Sequence, residues 1–313
     1  MPKWTAADIP DQQDRTVLVT GANSGLGLRS AEALAARGAL VLMACRDAGR
    51  GASALAQVAA VATGPEPELV ALDLASLASV QAAAAAVQER VGHLDVLLNN
   101  AGIMAVPRGV TEDGFERQIG TNHLGHFALT GRLLPVLLAA PEPRVVTVAS
   151  QAHRFGRLRV DDLSFAQRRY TRWGAYGQSK LANLLFTSEL QRRATEAGTA
   201  LAAVAAHPGY AATNLTNGPA TGMAALRPVF RLGDRLVGQP DHMGALPQLY
   251  AATMPDVGPA EYWGPDGAGE RRGHPTRVGR TTAAADEGSA RALWVRSEEL
   301  TGVRYPWPGL SGA

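Results

Sequence analysis

Cysteine is almost absent from this chain. Its 313 residues include one, Cys45, which excludes an internal disulfide and fits a reducing compartment. Neither sign of charge is in excess: 30 basic against 28 acidic side chains give a formal +2, without the broad positive field that nucleic-acid binding needs. Nucleic acid is therefore not an expected partner. No apolar run reaches the roughly 18 residues required to cross a bilayer, and the stretch from Leu133 to Ala140 is broken by Pro135. The first residues carry Asp8, Asp11 and Asp14 where a secretory signal would have a basic start and an apolar core, so a cytoplasmic protein is expected. A metal site is not expected either. His123 and His126 stand three apart, but no acidic third ligand is near and there is no His-Glu-x-x-His pattern.

What the chain does have is alternation. Short apolar runs rich in Val, Leu and Ala recur between longer stretches of helical period, the pattern of a buried parallel sheet covered by helices. Strands are predicted at Thr16 to Thr20, Leu40 to Cys45, Glu68 to Leu72, Val96 to Asn99, Arg144 to Ala149 and Leu201 to His207. The first helices fall at Leu26 to Arg37, ending at Gly38, and in the Ala-rich stretches Ala48 to Val61 and Ser76 to Arg90. These elements predict a single-domain α/β Rossmann fold over residues 1–313, a doubly wound parallel sheet with helices on both faces and a ligand crevice beyond the strand C-termini. Residues 151–175 and 211–240 are expected to be substrate loops. Asn217 to Gln239 and Pro255 to Gly279, rich in Gly, Pro and Arg, read as loops or lids. A C-terminal extension at about 280–313 has helical character from Asp286 to Thr301. Its Leu293 and Trp294 can pack on the domain or on a partner subunit, and the second choice would make a homo-oligomer.

The first strand runs straight into Gly21-Ala-Asn-Ser-Gly25-Leu-Gly27 and then a helix. Glycine lets the backbone turn tightly and approach a pyrophosphate, and the helix N-terminus offers free N–H groups and partial positive charge. Asn23 and Ser24 add side-chain donors, and Leu26 completes the turn. The spacing is not GxGxxG. After the second strand comes Ala44-Cys45-Arg46-Asp47, with Cys45 where an NAD-preferring fold places the acid that holds the ribose 2′-OH. Arg46 can instead bond a 2′-phosphate, which favours NADP(H). Asp47 is a near rival that would shift the reading by one residue. At the third strand's end, Asp73 and Leu74 stand beside the expected adenine position. Asp73 reads alternatively as a helix N-cap, a role Ser76 can also fill.

Tyr176-Gly-Gln-Ser-Lys180 opens a long helical segment, and residues four apart share one helix face, so a phenol and an ammonium can serve one site. A tyrosine of ordinary pKa about 10 is a poor acid–base catalyst near neutrality, and a neighbouring ammonium lowers that value. Ser150, at the end of Val145-Val-Thr-Val-Ala-Ser150, can hydrogen-bond a substrate carbonyl. Asn122 lies in Thr121-Asn-His-Leu-Gly-His126, a helical stretch in which a buried amide needs partners.

Taken together, the glycine turn, Asn99-Asn-Ala-Gly102, Asn122, Ser150, Tyr176, Lys180 and His207-Pro-Gly209 occur in the order that resembles short-chain dehydrogenases/reductases across most of residues 16–215. Ala-Cys-Arg-Asp, Asn-His-Leu-Gly-His-Phe, Ser-Lys-Leu-Ala-Asn and Ser297-Glu-Glu-Leu-Thr301 are similar to the retinol-dehydrogenase-like branch. The resemblance implies that Ser150 polarises a carbonyl and Tyr176 transfers a proton. It implies that Lys180 lowers the tyrosine pKa and binds the nicotinamide ribose, and that Asn122 holds a water linked to Lys180. Asn100, Ala101 and Gly102 would line the cofactor's floor, and Pro208, Gly209 and Thr213 would meet the carboxamide side. The implied partner is a small carbonyl or alcohol substrate, largely apolar.

One departure stands out. Ser150 and Tyr176 are 26 residues apart, about twice the separation in many compact members. The intervening segment, with Phe155, Phe165 and Trp173 among several arginines, is expected to wall the substrate pocket, its arginines forming a solvated face. Two other functions compete. A nucleotide-sensing regulator need not keep Asn122, Ser150, Tyr176 and Lys180 together, and a sugar-nucleotide epimerase would carry a Gly-x-x-Gly-x-x-Gly turn, which is absent.

Overall fold

The computed structural model describes residues 3–210 and 239–309. Among these residues eight strands form one sheet in the order β3-β2-β1-β4-β5-β6-β7-β8. They are β1 (Thr16–Thr20), β2 (Leu40–Cys45), β3 (Glu68–Ala71), β4 (Val96–Asn99), β5 (Arg144–Val148), β6 (Ala202–Ala206), β7 (Tyr262–Pro265) and β8 (Pro275–Arg277). All neighbours pair parallel except β7 and β8. The first six strands fall where hydrophobic runs predict them, one residue shorter at four of their ends.

The sequence alternation sorts side chains to the two faces. Leu18, Leu42, Leu97 and Val145 point into a core shared with α3 (Leu77–Arg90), α4 (Gly125–Leu138) and α5 (Arg172–Glu196). Val17, Val19, Val41, Met43, Val96 and Leu98 point the other way, toward α1 (Gly25–Ala35), α2 (Ala48–Ala59) and α6 (Leu246–Thr253). A residue at i and its neighbour at i+1 thus feed separate cores, as a strand covered on both faces requires. Helix starts are set by side chains that accept an N–H from three residues on: Asp47 for α2, Ser76 for α3, Thr171 for α5 and Asp286 for α7 (Glu287–Thr301). Helix α5 therefore begins four residues before Tyr176, and Tyr176 sits in its second turn.

Two readings need correction. The segment from Pro255 to Gly279 is not all loop: it contains β7 and β8, the latter antiparallel to β7 at the sheet edge. Gly264, Pro265 and Pro275 hide the strand pattern, yet Tyr262 and Trp263 pair with Ala205 and Ala206, whose small side chains leave room for the two rings. Pro265 and Pro275 face each other at the end of the ladder, where a missing N–H costs least. The second correction concerns Asp73, which does not cap α3. Ser76 does, and the Asp73 carboxylate instead accepts the N–H of Ala75 in a tight local turn.

The choice left open for the C-terminal extension is resolved toward the chain's own domain. Helix α7 lies on α5, and beyond it Val303, Tyr305 and Trp307 continue the same core. The Trp294 ring packs against Phe127 at 5.0 Å and Phe186 at 5.9 Å, and the Tyr305 hydroxyl donates to the Phe127 carbonyl at 2.8 Å. A side chain at Gly131 would strike the Tyr305 ring, so that glycine sets how closely the tail approaches α4.

The strand order places the chemistry. From β1 the chain builds outward through β2 and β3, then returns to β4 on β1's other side, so a crevice opens between the C-terminal ends of β1 and β4. Among the described residues no helix is long and apolar enough to cross a membrane.

Candidate active site

At the end of β1 the backbone turns through Gly21 (φ +69°) and Gly25 (φ +53°), both in the left-handed region that favours glycine. A Cβ at Gly27 would fall 2.3 Å from the Gly21 carbonyl oxygen, so only glycine lets α1 start this close to the turn. Gly25 is different: nothing lies within 4 Å of where its Cβ would stand. Ser24 begins α1 with no side-chain cap, so the first turn of an 11-residue helix presents its N–H groups toward that open side. Asn23 is half-buried beside it, and Leu26 is buried beneath.

The turn is locked to β4 by hydrogen bonds that sequence patterns did not reveal. The Thr20 hydroxyl accepts N–H groups from Asn100 and Ala101, each at 2.9 Å, and the Asn100 side chain donates to the Thr20 carbonyl at 2.7 Å. The Thr20 hydroxyl also lies 2.9 Å from Nε2 of His126, whose Nδ1 lies 3.1 Å from the Asn122 carbonyl. A carbonyl can only accept, so Nδ1 carries the proton and Nε2 accepts from Thr20. Burial of His126 pushes its pKa down to about 4, consistent with a neutral ring. His123 turns elsewhere, to the Ser297 hydroxyl at 2.9 Å and the Phe127 and Phe186 rings. The two histidines thus serve separate networks.

Arg46 leaves β2 exposed, with its guanidinium 3.9 Å from the Asp73 carboxylate. Asp47 is engaged at the start of α2, where its carboxylate accepts both the backbone N–H and the Nε of Arg50. Leu74 is buried, and its carbonyl packs so closely on Gly125 that a Cβ there would lie 2.4 Å away. Cys45, just inside this edge, is buried and its thiol is pushed up to about 11, because desolvation outweighs N–H groups of Ala22 and Asn23 directed at it. It is packing, not a nucleophile. A thiol reagent at pH 8 is expected to leave the native chain unmodified and to label one cysteine after unfolding; rapid labelling of native protein would contradict this burial.

Beyond β5, Ser150 caps a short turn at Gln151–Phe155 by accepting the Ala152 N–H at 3.2 Å. Tyr176 is buried in α5, with the Ser150 side chain close enough to its phenol to favour the ionised form. Burial pushes that phenol up to about 12, and the Ser150 hydroxyl pulls it partly back. The Lys180 ammonium lies 5.8 Å from the Tyr176 ring centroid and donates to the Val148 carbonyl at 2.9 Å. Burial lowers its pKa to about 8. In this structure desolvation, not the ammonium, dominates the tyrosine.

Asn122 stands in a π-helical turn, Gly120–Leu124, that leads into α4. Its side chain answers the question of partners: Oδ1 accepts the Ile103 N–H at 2.8 Å, and Nδ2 donates to the Ile103 carbonyl and the Ser179 hydroxyl, each at 2.9 Å. Both amide hydrogens are committed, so the side chain braces the segment after β4 against α5. Gly102 closes the floor, because a Cβ there would meet Asn122 Oδ1 at 3.2 Å and Lys180 Nζ at 3.6 Å. Asn183, which sequence reading passed over, also donates to the Val148 carbonyl, at 3.1 Å.

The structure therefore brings Asn122, Ser150, Tyr176 and Lys180 to one side of the crevice, with Gly21, Asn23, Ser24, Gly25, Gly27, Asn100, Ala101 and Gly102 along it. Pro208 and Gly209 follow β6, with Gly209 at φ +66°. Thr213 lies outside the described residues, as does most of the expected substrate loop at 211–240. His207, at the end of β6, is committed at both ring nitrogens, to Gly209 and Glu270.

Residues 15–222 match the short chain dehydrogenase family. The chain belongs to that family. Human retinol dehydrogenase 13 is 39% identical over 297 residues, 93% of this chain and 86% of its own, and human retinol dehydrogenase 14 is 39% identical over 302. Among solved structures, an uncharacterized protein from Mycobacterium Paratuberculosis is 48% identical with a TM-score of 0.80, covering 97% of this chain and 99% of its own. A Pseudomonas aeruginosa RhlG/NADP active-site complex is 25% identical with a TM-score of 0.61, covering 80% of this chain and 94% of its own. As a short-chain dehydrogenase of retinol-dehydrogenase-like sequence, this protein is a nicotinamide-dependent oxidoreductase. The cradle fits such a cofactor: the space at Gly25, the uncapped helix start and the glycine-lined floor leave backbone N–H groups open to a pyrophosphate.

The long insertion after Ser150 packs on the short-chain dehydrogenase frame through its own polar groups. Asp162 accepts the Ala166 N–H at 2.6 Å and pairs with Arg168, whose guanidinium also covers the Phe165 ring and bonds Gln178. Arg154 pairs with Glu270 and Arg159 with Asp161. The arginines are thus not all a solvated face, since Arg154 and Arg168 hold the insertion in place. Phe155 and Trp173 remain about half exposed, at 54% and 49%. The Trp173 ring meets the Tyr176 ring edge-on at 6.0 Å, and Phe155 lies over Gly177.

Proposed function

We propose that this protein is an NADP(H)-dependent carbonyl reductase or alcohol dehydrogenase acting on small, largely apolar substrates, with Tyr176 as proton donor and acceptor. The observation that carries the reading is the convergence of the Tyr176 phenol, the Ser150 hydroxyl and the Lys180 ammonium in one buried corner of the crevice. Nicotinamide bound there supplies or accepts the hydride. The chain's own residues do the rest. Ser150 donates to the substrate oxygen and holds it at the phenol. Tyr176 gives that oxygen its proton in reduction and takes it back in oxidation. Lys180, pinned by Val148, keeps positive charge beside the developing phenolate and reaches the ribose. Asn122, through Ile103 and Ser179, keeps the floor and α5 in register.

The preference for NADP(H) rests on Arg46. Asp47, the rival for the ribose hydroxyls, is spent on the start of α2, which leaves an exposed guanidinium at the end of β2 to bond a 2′-phosphate. The Pseudomonas aeruginosa complex with NADP supports the same cofactor. Asp73, beside Arg46, faces the adenine end. For the substrate, the retinol dehydrogenases are the guide to class, and Phe155 and Trp173 supply apolar walls.

Binding of NADPH and NADH, followed by NADPH consumption against aldehydes, bulky ketones and quinones, tests this directly. NADPH is expected to bind about tenfold or more tighter than NADH, and Arg46→Ala to erase most of that difference by removing a charge-assisted hydrogen bond. Equal affinity for the two nucleotides in the parent protein overturns the cofactor assignment. Tight NADPH binding with no turnover of any panel member in either direction favours the nucleotide-sensing alternative.

A further inference from the structure

The hairpin that joins β7 to β8 reaches back over the active-site end of the sheet. Its tip holds Gly269 (φ +62°) and Glu270 (φ +55°), two successive residues in the left-handed region, and for glutamate that conformation is costly. A strained non-glycine residue calls for an interaction that holds it there. The Glu270 carboxylate has one. Oε1 accepts from the Arg154 guanidinium at 2.8 Å, and Oε2 accepts from Nε2 of His207 at 3.0 Å. Gln151 donates to the Gly269 carbonyl beside it. Arg154 and Gln151 belong to the turn that Ser150 caps, whereas His207 precedes Pro208 and Gly209.

His207 is buried, and both ring nitrogens are spoken for. The Gly209 N–H donates to Nδ1 at 3.1 Å, so Nδ1 carries no proton, and the proton on Nε2 goes to Glu270. The hairpin touches the same turn elsewhere. The Tyr210 N–H donates to the Arg271 carbonyl at 2.7 Å, and a Cβ on Gly264 would lie 2.1 Å from His207 Nε2. The Tyr262 ring closes the back of the cluster, 5.7 Å from His153 and 5.2 Å from His207.

We infer that Glu270 is a positioning residue that clasps the His207–Gly209 turn to the Ser150–Phe155 turn, holding the nicotinamide side and the substrate side of the site in one register. It acts through a histidine tautomer. With the carboxylate in place, His207 is held with its proton on Nε2, and Nδ1 fixes the Gly209 N–H and so the angle at which the turn leaves β6. Without it, a buried Nε2–H has no acceptor, the ring is free to move its proton to Nδ1, and the Gly209 bond is lost. The inference rests on the proposed reading of the site in one respect, that Pro208 and Gly209 meet the nicotinamide end.

Calorimetric binding of NADPH and of adenosine 2′,5′-bisphosphate, which lacks nicotinamide, to the parent, Glu270→Ala and Glu270→Gln proteins tests it. Glu270→Ala is expected to weaken NADPH about tenfold while leaving the bisphosphate unchanged, and Glu270→Gln, whose amide oxygen still accepts from His207, to recover most of the loss. Imidazole nitrogen NMR is expected to show His207 with its proton on Nε2 in the parent and Glu270→Gln proteins and a mixed tautomer in Glu270→Ala. Equal NADPH affinity in all three proteins overturns the inference. So does an equal loss for both probes, which makes Glu270 a folding residue. A parent that binds neither nucleotide overturns instead the cofactor reading beneath it, a result distinguishable from either.

Discussion

Tyr176→Phe is expected to lower kcat about a thousandfold while changing NADPH affinity by no more than about twofold. The substitution removes one oxygen and leaves the ring, which packs against Trp173 and is buried in α5, so neither the helix nor the crevice has reason to change. What disappears is the proton that must reach the substrate oxygen. With the phenol pushed up to about 12 by burial, Tyr176 enters carbonyl reduction protonated at any pH well below that value. The alkaline limit on reduction then comes from Lys180. Its ammonium, lowered to about 8, is lost as the pH rises through that value, so reductive kcat/KM is expected to decline above pH 8 in the parent protein. Full activity in Tyr176→Phe would remove tyrosine from the chemistry. A parallel loss of NADPH binding would show that the phenol holds the cofactor and does not carry the proton.

The parts of this site that could be read along the chain are those whose signals are local. The glycine turn lies between an apolar strand and a helix, Ser150 ends a strand, and Tyr176 and Lys180 are one helical turn apart, so a short window contains each cue. The same holds for the first six strands, whose cores are built from runs of Val, Leu and Ala. What escaped detection depends on distant pairings. Thr20 finds His126 across 106 positions, and Arg154 finds Glu270 across 116; nothing near Glu270 distinguishes it from other charges in an Arg- and Gly-rich stretch. Thr20 did leave a trace, as the one polar residue besides Thr16 in a strand of full burial. β7 and β8 were hidden for a different reason. They are short, carry Gly264, Pro265 and Pro275, and owe their pairing to an established edge at β6 more than to propensity. The docking of the tail was a choice between the chain's own domain and a partner, decided by the packing of Trp294 on Phe127 and Phe186 and the fit of Tyr305 at Gly131.

Lys180→Met is expected to abolish most turnover and yet stabilise the fold at pH 7. The reason is the cost of burying the ammonium. Lys180 is 4% exposed, and desolvation brings its pKa from 10.5 to about 8. Between those values the unfolded chain binds the proton and the folded chain does not, so stability from this group rises with pH from about 8 to 10.5; below 8 the fold carries the whole penalty, about 3 kcal/mol. Methionine keeps the unbranched stem and removes the charge. The lost hydrogen bond to Val148 sets back about 1 kcal/mol, and that carbonyl is not left bare, because Asn183 donates to it at 3.1 Å. A net gain of about 2 kcal/mol is expected at pH 7, a rise in Tm of about 3 °C. The gain should shrink as the pH rises through 8 toward 10.5, where the parent no longer holds a buried charge. Melting curves of both proteins at pH 7 and pH 10 decide the matter. If Lys180→Met melts lower at pH 7, or if the difference is the same at both pH values, the lysine is a packing residue whose charge costs the fold nothing. If instead the variant is more stable and inactive, the ammonium is kept at the expense of stability for what it does beside Tyr176, as expected of a functional site.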